Sequence, residues 1–176
     1  MPDPAGLELI AHELRERHSD SVVDTLHHRG IATLVVEPGR VLDVLAWLRD
    51  DPVQQYGFLA SLHACDYLPH EPRFGVHYEL LNMDRVERVH VKALLADPGD
   101  PELPAIDSCV SLFPTADFQE REAFDMFGIA FRGHPDLRRI LLPEGYVGWP
   151  LRRDFPIGGE PVIFTHNEHQ VPGWSR

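Results

Sequence analysis

The sequence predicts an α/β (α+β) domain, a small mixed or antiparallel sheet packed with helices, followed by an extended proline-rich C-terminal tail. Three observations carry that expectation. Apolar residues recur at helical spacing in two early segments, alternate at period two in a later pair of segments, and meet a dense run of prolines and glycines near the C-terminus. With 176 residues, 43% hydrophobic and 25% charged, the chain is long enough to bury a core and too apolar for wholesale disorder.

The elements follow in order. Asp3 is placed to cap a first helix with Pro4 at its first position, and Leu7, Ile10, Ala11 and Leu14 form one stripe. Ser21–His27 and Ile31–Glu37, separated by Arg29–Gly30, read as two adjacent strands. After Pro38–Gly39, Val41, Val44, Leu45 and Leu48 share a helical stripe within Arg40–Asp50, which Pro52 closes. The apolar residues of Gln54–Tyr67 fit neither period, so a short helix leading into a strand is expected there. Arg73–Leu81 and Val86–Leu95 alternate cleanly and form an antiparallel hairpin. Asp97–Pro104 is a loop by its prolines, and Asp107–Leu112 is one more short strand or turn. Asp117 and Glu120 read as a capping box opening a third helix that runs to about Phe127 and stops at Gly128. Residues 133–173 hold six prolines among many apolar side chains, an extended segment that needs a surface to pack on. The expected organisation is a core domain over 1–113, a signature helix and following segment over 114–143, and a partner-wrapping tail over 144–176.

Charge and cysteine content narrow the function. A net charge of −12 disfavours nucleic acid and anionic membrane as primary partners. Neither a long apolar run nor a secretory leader is apparent, so a chain that neither spans a membrane nor is exported is expected. Two cysteines, Cys65 and Cys109, fall short of a cluster or a structural zinc site and read as reduced thiols. No phosphate-cradling loop, dinucleotide fingerprint, zinc-protease helix, nucleophile elbow or C-x-x-C is present. Within His63-Ala-Cys65-Asp66, His63 and Cys65 would share a strand face but lack further partners, and His27-His28 and His166-x-x-His169 are weaker still, so no metal site is expected.

The densest constellation begins at Glu120-Arg121-Glu122 and continues through Asp125, His134, Arg138 and Arg139. Arg121 and Asp125 are i,i+4 neighbours that can pair, and the plainest reading is a solvated helix with surface ion pairs. Two features oppose it. Four phenylalanines interleave the charges from Phe118 to Phe131, and the window 132–153 carries five arginines against Asp136 and Glu144. Such a cationic, aromatic strip on an acidic protein reads as a docking surface for an acidic partner.

The spacing Glu120-Arg121-Glu122, two residues, Asp125-Met126-Phe127, six residues, His134, three residues, Arg138, one residue, Ile140-Leu141 resembles the signature of the C-subunit family of bacterial NADH:quinone oxidoreductase, respiratory complex I. Gly148-Trp-Pro-Leu-Arg-Arg-Asp154-Phe-Pro156 resembles that family's second block, and weaker likeness extends over Phe58–Asp66 and Arg73–Leu81. The resemblance implies a non-catalytic α/β subunit of the peripheral arm, on the cytoplasmic side of the cell membrane and attached only through the complex. It implies no cofactor in this chain, with FMN, iron–sulfur clusters and quinone held by partner subunits, among them the large quinone-site subunit. Glu120, Arg121, Glu122, Asp125, His134, Arg138, Arg139, Arg152, Arg153 and Asp154 are then structural and interfacial, with no catalytic, cofactor or metal residue. Trp149 stands where the family often has a histidine or another polar residue.

Two other readings stay open on the sequence. One is the equivalent subunit of a membrane-bound hydrogenase or a coenzyme-F420- or ferredoxin-linked dehydrogenase. The other is a free-standing enzyme using His63, Cys65 and Asp66.

Overall fold

A computed structural model describes residues 1–156. The far part of the expected tail, residues 157–176 with His166 and His169, lies outside the described residues.

Helix α1 (Pro4–Arg17) starts as its punctuation requires: the Gly6 N–H donates to Asp3 Oδ1 at 2.7 Å, and Leu7, Ile10, Ala11 and Leu14 are buried. Strands β1 (Val22–His28) and β2 (Ile31–Val36) form a hairpin whose turn residues Arg29 and Gly30 both have positive φ, as a two-residue turn matching strand twist demands. A 3-10 turn, Pro38–Arg40, leads into α2 (Val41–Asp50), which buries the predicted stripe.

The remaining strands are β3 (Phe58–Asp66), β4 (Phe74–Asn82), β5 (Glu87–Leu95), β6 (Ala105–Asp107) and β7 (Ala130–Arg132), with α3 (Ala116–Phe127) between the last two. The main sheet is ordered β1-β2-β5-β4-β3, antiparallel except for the parallel β2–β5 pair. One face meets the helices. Phe74, Val76, Tyr78 and Leu80 of β4 and Val89, Val91 and Ala93 of β5 join the stripes of α1 and α2 in one continuous core. The opposite face carries His63 and Cys65 on β3, His77 on β4, and His90 and Lys92 on β5. No helix of the described residues is long and apolar enough to cross a membrane.

Two local expectations are corrected. Gln54–Tyr67 contains a turn followed by β3, with no helix of its own. Pairing with β4 shifts register between Leu59 and Ser61, so the buried positions change from Leu59 to Leu62 and Ala64, and this bulge is why no single period fits. The capping box is not formed either. Helix α3 begins at Ala116 after Thr115, which makes no capping bond, while Glu120 turns inward, fully buried, to accept the Cys109 N–H at 2.7 Å. A buried amide in the 108–113 turn needs an acceptor, and that demand outweighs the local cap. The stop signal holds: Gly128 is left-handed, with φ 71°.

Candidate functional site

Helix α3 and the segment after it are built around Asp125. Its side chain is inaccessible to solvent. Oδ1 accepts from Arg139 Nη1 at 2.7 Å, while Oδ2 accepts the N–H groups of Ile140, Leu141 and Leu142 at 3.0, 2.7 and 2.9 Å. Three successive amides converging on one oxygen form a concave anion nest. Burial by itself would raise the Asp125 pKa, but the amides and the guanidinium outweigh it and hold the carboxyl below the ordinary range. Arg139 further donates to the carbonyls of Asp125 and Gly148 and lies 4.5 Å from the Trp149 ring.

The expected Arg121–Asp125 pair is therefore absent, because the carboxylate points inward to its nest. Arg121 instead donates to the carbonyls of Arg138 and Arg139, at 3.2 and 3.3 Å. His134, its side chain fully enclosed, accepts the Asp136 N–H on Nδ1 and meets the Asp117 carbonyl through Nε2 at 3.2 Å, tying the segment to the start of α3. Glu122 is exposed.

A second carboxylate, Asp66, holds the 152–154 end of the chain. It receives Arg73 through Nε and Nη2 at 3.1 and 2.9 Å, the Leu68 N–H and the Arg153 N–H. Desolvation pushes its pKa up, yet the Arg73 bonds and both amides bring it down to about 2. Arg73 is buried and also donates to Asp97 and Asp154, each at 2.7 Å, so one guanidinium gathers three acids. Arg153 reaches the Leu68 carbonyl. Arg152 donates from Nε to the Phe127 carbonyl at 2.7 Å and lies between the Phe74 and Trp149 rings, 4.9 and 5.9 Å from their centres.

The arginines of the 132–153 strip divide between internal bonds and surface pairs. Arg139 and Arg152 are consumed internally; Arg132 pairs with Asp107 at 2.7 Å and Arg138 with Asp136 at 2.9 Å, both pairs on the surface.

Trp149 packs edge-on against Phe124, at 5.3 Å, and directly over Gly128. A Cβ at Gly128 would lie 2.5 Å from the indole, so the helix stop is also the seat of this ring. Around this frame Leu141, Val147 and Leu151 stay exposed, at 61%, 59% and 54%. Leu151 borders a groove of about 450 Å³ between the outer edge of β3 and α3, lined also by Met126 and Phe127.

Of the three residues in the free-standing-enzyme reading, Asp66 is committed to Arg73, while His63 and Cys65 face the other way and meet His77. Arg73 and Asp97 escaped sequence reasoning, since the guanidinium finds Asp97 24 residues on and Asp154 81 residues on. An arginine directly before a cleanly alternating strand is the one local hint.

Residues 34–161 match the family model described as respiratory-chain NADH dehydrogenase, 30 Kd subunit. The C subunit of the NADH-quinone oxidoreductase of Roseiflexus sp. (strain RS-1) is 41% identical over 92% of this chain and 91% of its own length. The corresponding C subunit of Herpetosiphon aurantiacus is 47% identical over 81% of each chain. Among solved structures, the trypsin-resistant fragment (1-134) of Nqo5 is similar with a TM-score of 0.58 and 29% identity, covering 74% of this chain and 98% of that one. A chain of an archaeal membrane-bound sulfane sulfur reductase, 22% identical with a TM-score of 0.66 over 85% of each chain, shares the fold. The chain belongs to the family of the respiratory-chain NADH dehydrogenase 30 Kd subunit.

Proposed function

We infer that the chain is the C subunit of a proton-translocating NADH:quinone oxidoreductase, a non-catalytic part of the peripheral arm that positions neighbours through which electrons pass from NADH to quinone. The family match supports the assignment, and the observation that carries the structural role is the pairing of a self-contained polar frame with an exposed apolar row. Asp125, Arg139, Arg73 and Asp154 satisfy one another within the chain and thereby hold Leu141, Val147 and Leu151 outward. Exposed apolar side chains on such a hydrogen-bonded frame form the core of an interface, with Arg132–Asp107 and Arg138–Asp136 as its polar rim.

The partner facing that row is the large quinone-site subunit, with iron–sulfur subunits as neighbours, at the cytoplasmic side of the membrane. FMN, the clusters and quinone belong to those partners, and two cysteines cannot hold an ordinary four-thiolate cluster. The double substitution Leu141→Asp with Leu151→Asp tests this. The purified chain should keep its thermal midpoint within a few degrees, while co-purification with the large subunit from native membranes and NADH:quinone activity both fall by at least about tenfold. Unchanged recovery of the complex would overturn the placement of the interface. Oxidation of another donor by the recovered complex would overturn the NADH assignment.

A further inference from the structure

The face of the sheet turned away from the helices carries a side-chain cluster that the assembly role does not use. His63 and Cys65 stand two apart on β3, and His77 is the register partner of His63 on β4. One ligand atom from each of these three residues can be chosen so that all lie within 4.8 Å of one another. We propose that His63, Cys65 and His77 form a binding site for one zinc ion.

The donor set argues for that metal. Two imidazoles and a thiolate without a carboxylate suit a borderline-soft cation, and zinc, with no electronic preference for geometry, tolerates a site that must adjust. With Zn–N near 2.0–2.1 Å and Zn–S near 2.3 Å, ligand atoms of a tetrahedral site sit about 3.4–3.6 Å apart. Closure by about 1 Å is required, and His63, exposed and stacked parallel to His77 with ring centroids 4.9 Å apart, is free to swing.

The surroundings of His77 supply the support a ligating histidine needs. Its Nδ1 lies 2.9 Å from His90 Nε2, and His90 Nδ1 lies 3.1 Å from Thr33 Oγ1, so the chain of contacts crosses from β4 through β5 to β2. With His77 Nδ1–H donating to His90, the Nε2 lone pair faces the Tyr67 hydroxyl at 2.7 Å, and that hydroxyl lies against Cys65. Gly75, opposite Cys65 in register, keeps the pocket open: a Cβ there would lie 2.7 Å from the Tyr67 ring and 3.1 Å from His77 Nε2. Tyr67 can yield its place, leaving a fourth position for its own oxygen or a water.

Cobalt(II) titration of the purified full-length chain, followed by displacement with zinc, tests the site. A thiolate-to-cobalt charge-transfer band in the near ultraviolet should saturate at one ion per chain and vanish on adding zinc. Cys109→Ser, which alters the buried thiol of the other face, should leave the band intact. Cys65→Ser should abolish it, and His63→Ala, an exposed change that spares the core, should weaken cobalt and zinc binding by at least about tenfold. His90→Ala, removing the support for His77, should cost about 10–100-fold in zinc affinity. Because the band requires a thiolate, histidines elsewhere in the chain cannot imitate it. No band in the unsubstituted chain, a band surviving Cys65→Ser, or undiminished affinity in His63→Ala would each overturn the proposal.

Discussion

Asp125 and Asp66 are two buried carboxylates built to one plan, each accepting from an arginine and from backbone amides, yet they differ in reach. All four donors to Asp125 come from one stretch, Arg139 to Leu142, so the carboxylate moulds a local turn beside α3. Asp66 takes its arginine seven residues on and an amide from Arg153, 87 residues on, and shares that arginine with Asp97 and Asp154. The first shapes a segment; the second fastens a segment to the sheet. The difference shows how a proline-rich stretch with few ladder hydrogen bonds acquires a fixed course: charge-assisted bonds replace the ladder.

The largest loss is expected at Asp125. Asp125→Ala leaves Arg139 buried without its carboxylate and three amides without an acceptor, a loss of about 4 kcal/mol. For a chain of this size that lowers the unfolding midpoint by roughly 10 °C, readable by calorimetry. A midpoint within two or three degrees of the parent would mean that water enters the nest and serves the amides.

Arg73→Met comes next, at about 3 kcal/mol, because Asp66 keeps both amides when its guanidinium is lost. Its signature lies in acid. Asp66 has an ordinary pKa of 3.8 when unfolded and about 2 when folded, so its share of stability is complete above about pH 5 and is lost as pH falls through about 2. At about 1.4 kcal/mol per unit, that share is roughly 2–3 kcal/mol. The gap between parent and Arg73→Met should therefore narrow between pH 5 and pH 2 in acid-unfolding curves. A constant gap would show that the arginine acts through packing on Phe74, 4.8 Å away, more than through charge.

Much of this was legible in the sequence wherever a local rule decides the outcome. Asp3 capping α1, the stripe of α2, the β4–β5 alternation and the Gly128 stop are all set by neighbours within a few residues. The failures share one cause, a partner distant in sequence. Glu120 leaves its expected cap for an amide eleven residues earlier, Asp125 prefers a nest fourteen to seventeen residues later, and Ala60 bulges to bring β3 into register with β4. His63 and Cys65 were visible as a pair, but His77 joins them only through strand pairing. The signature residues were recognisable as a group, while their division into folding charges and surface charges required the geometry.

The smallest effect sharpens the contrast between shaping and fastening. Asp154 is the outermost acid around Arg73, with its side chain 53% exposed, and Asp66 and Asp97 remain if it is removed. Asp154→Asn should cost less than about 1 kcal/mol, and the cost should fade as salt rises toward about 1 M, where screening reaches about 3 Å. Asp125→Ala, by contrast, should lose nearly the same amount at low and high salt, because its bonds are sealed from solvent. Urea unfolding of both variants at two ionic strengths makes the comparison. If the Asp154→Asn deficit persists undiminished in high salt, the 152–154 end is held by a buried pair like that of Asp125, and the two carboxylates differ in reach but not in kind.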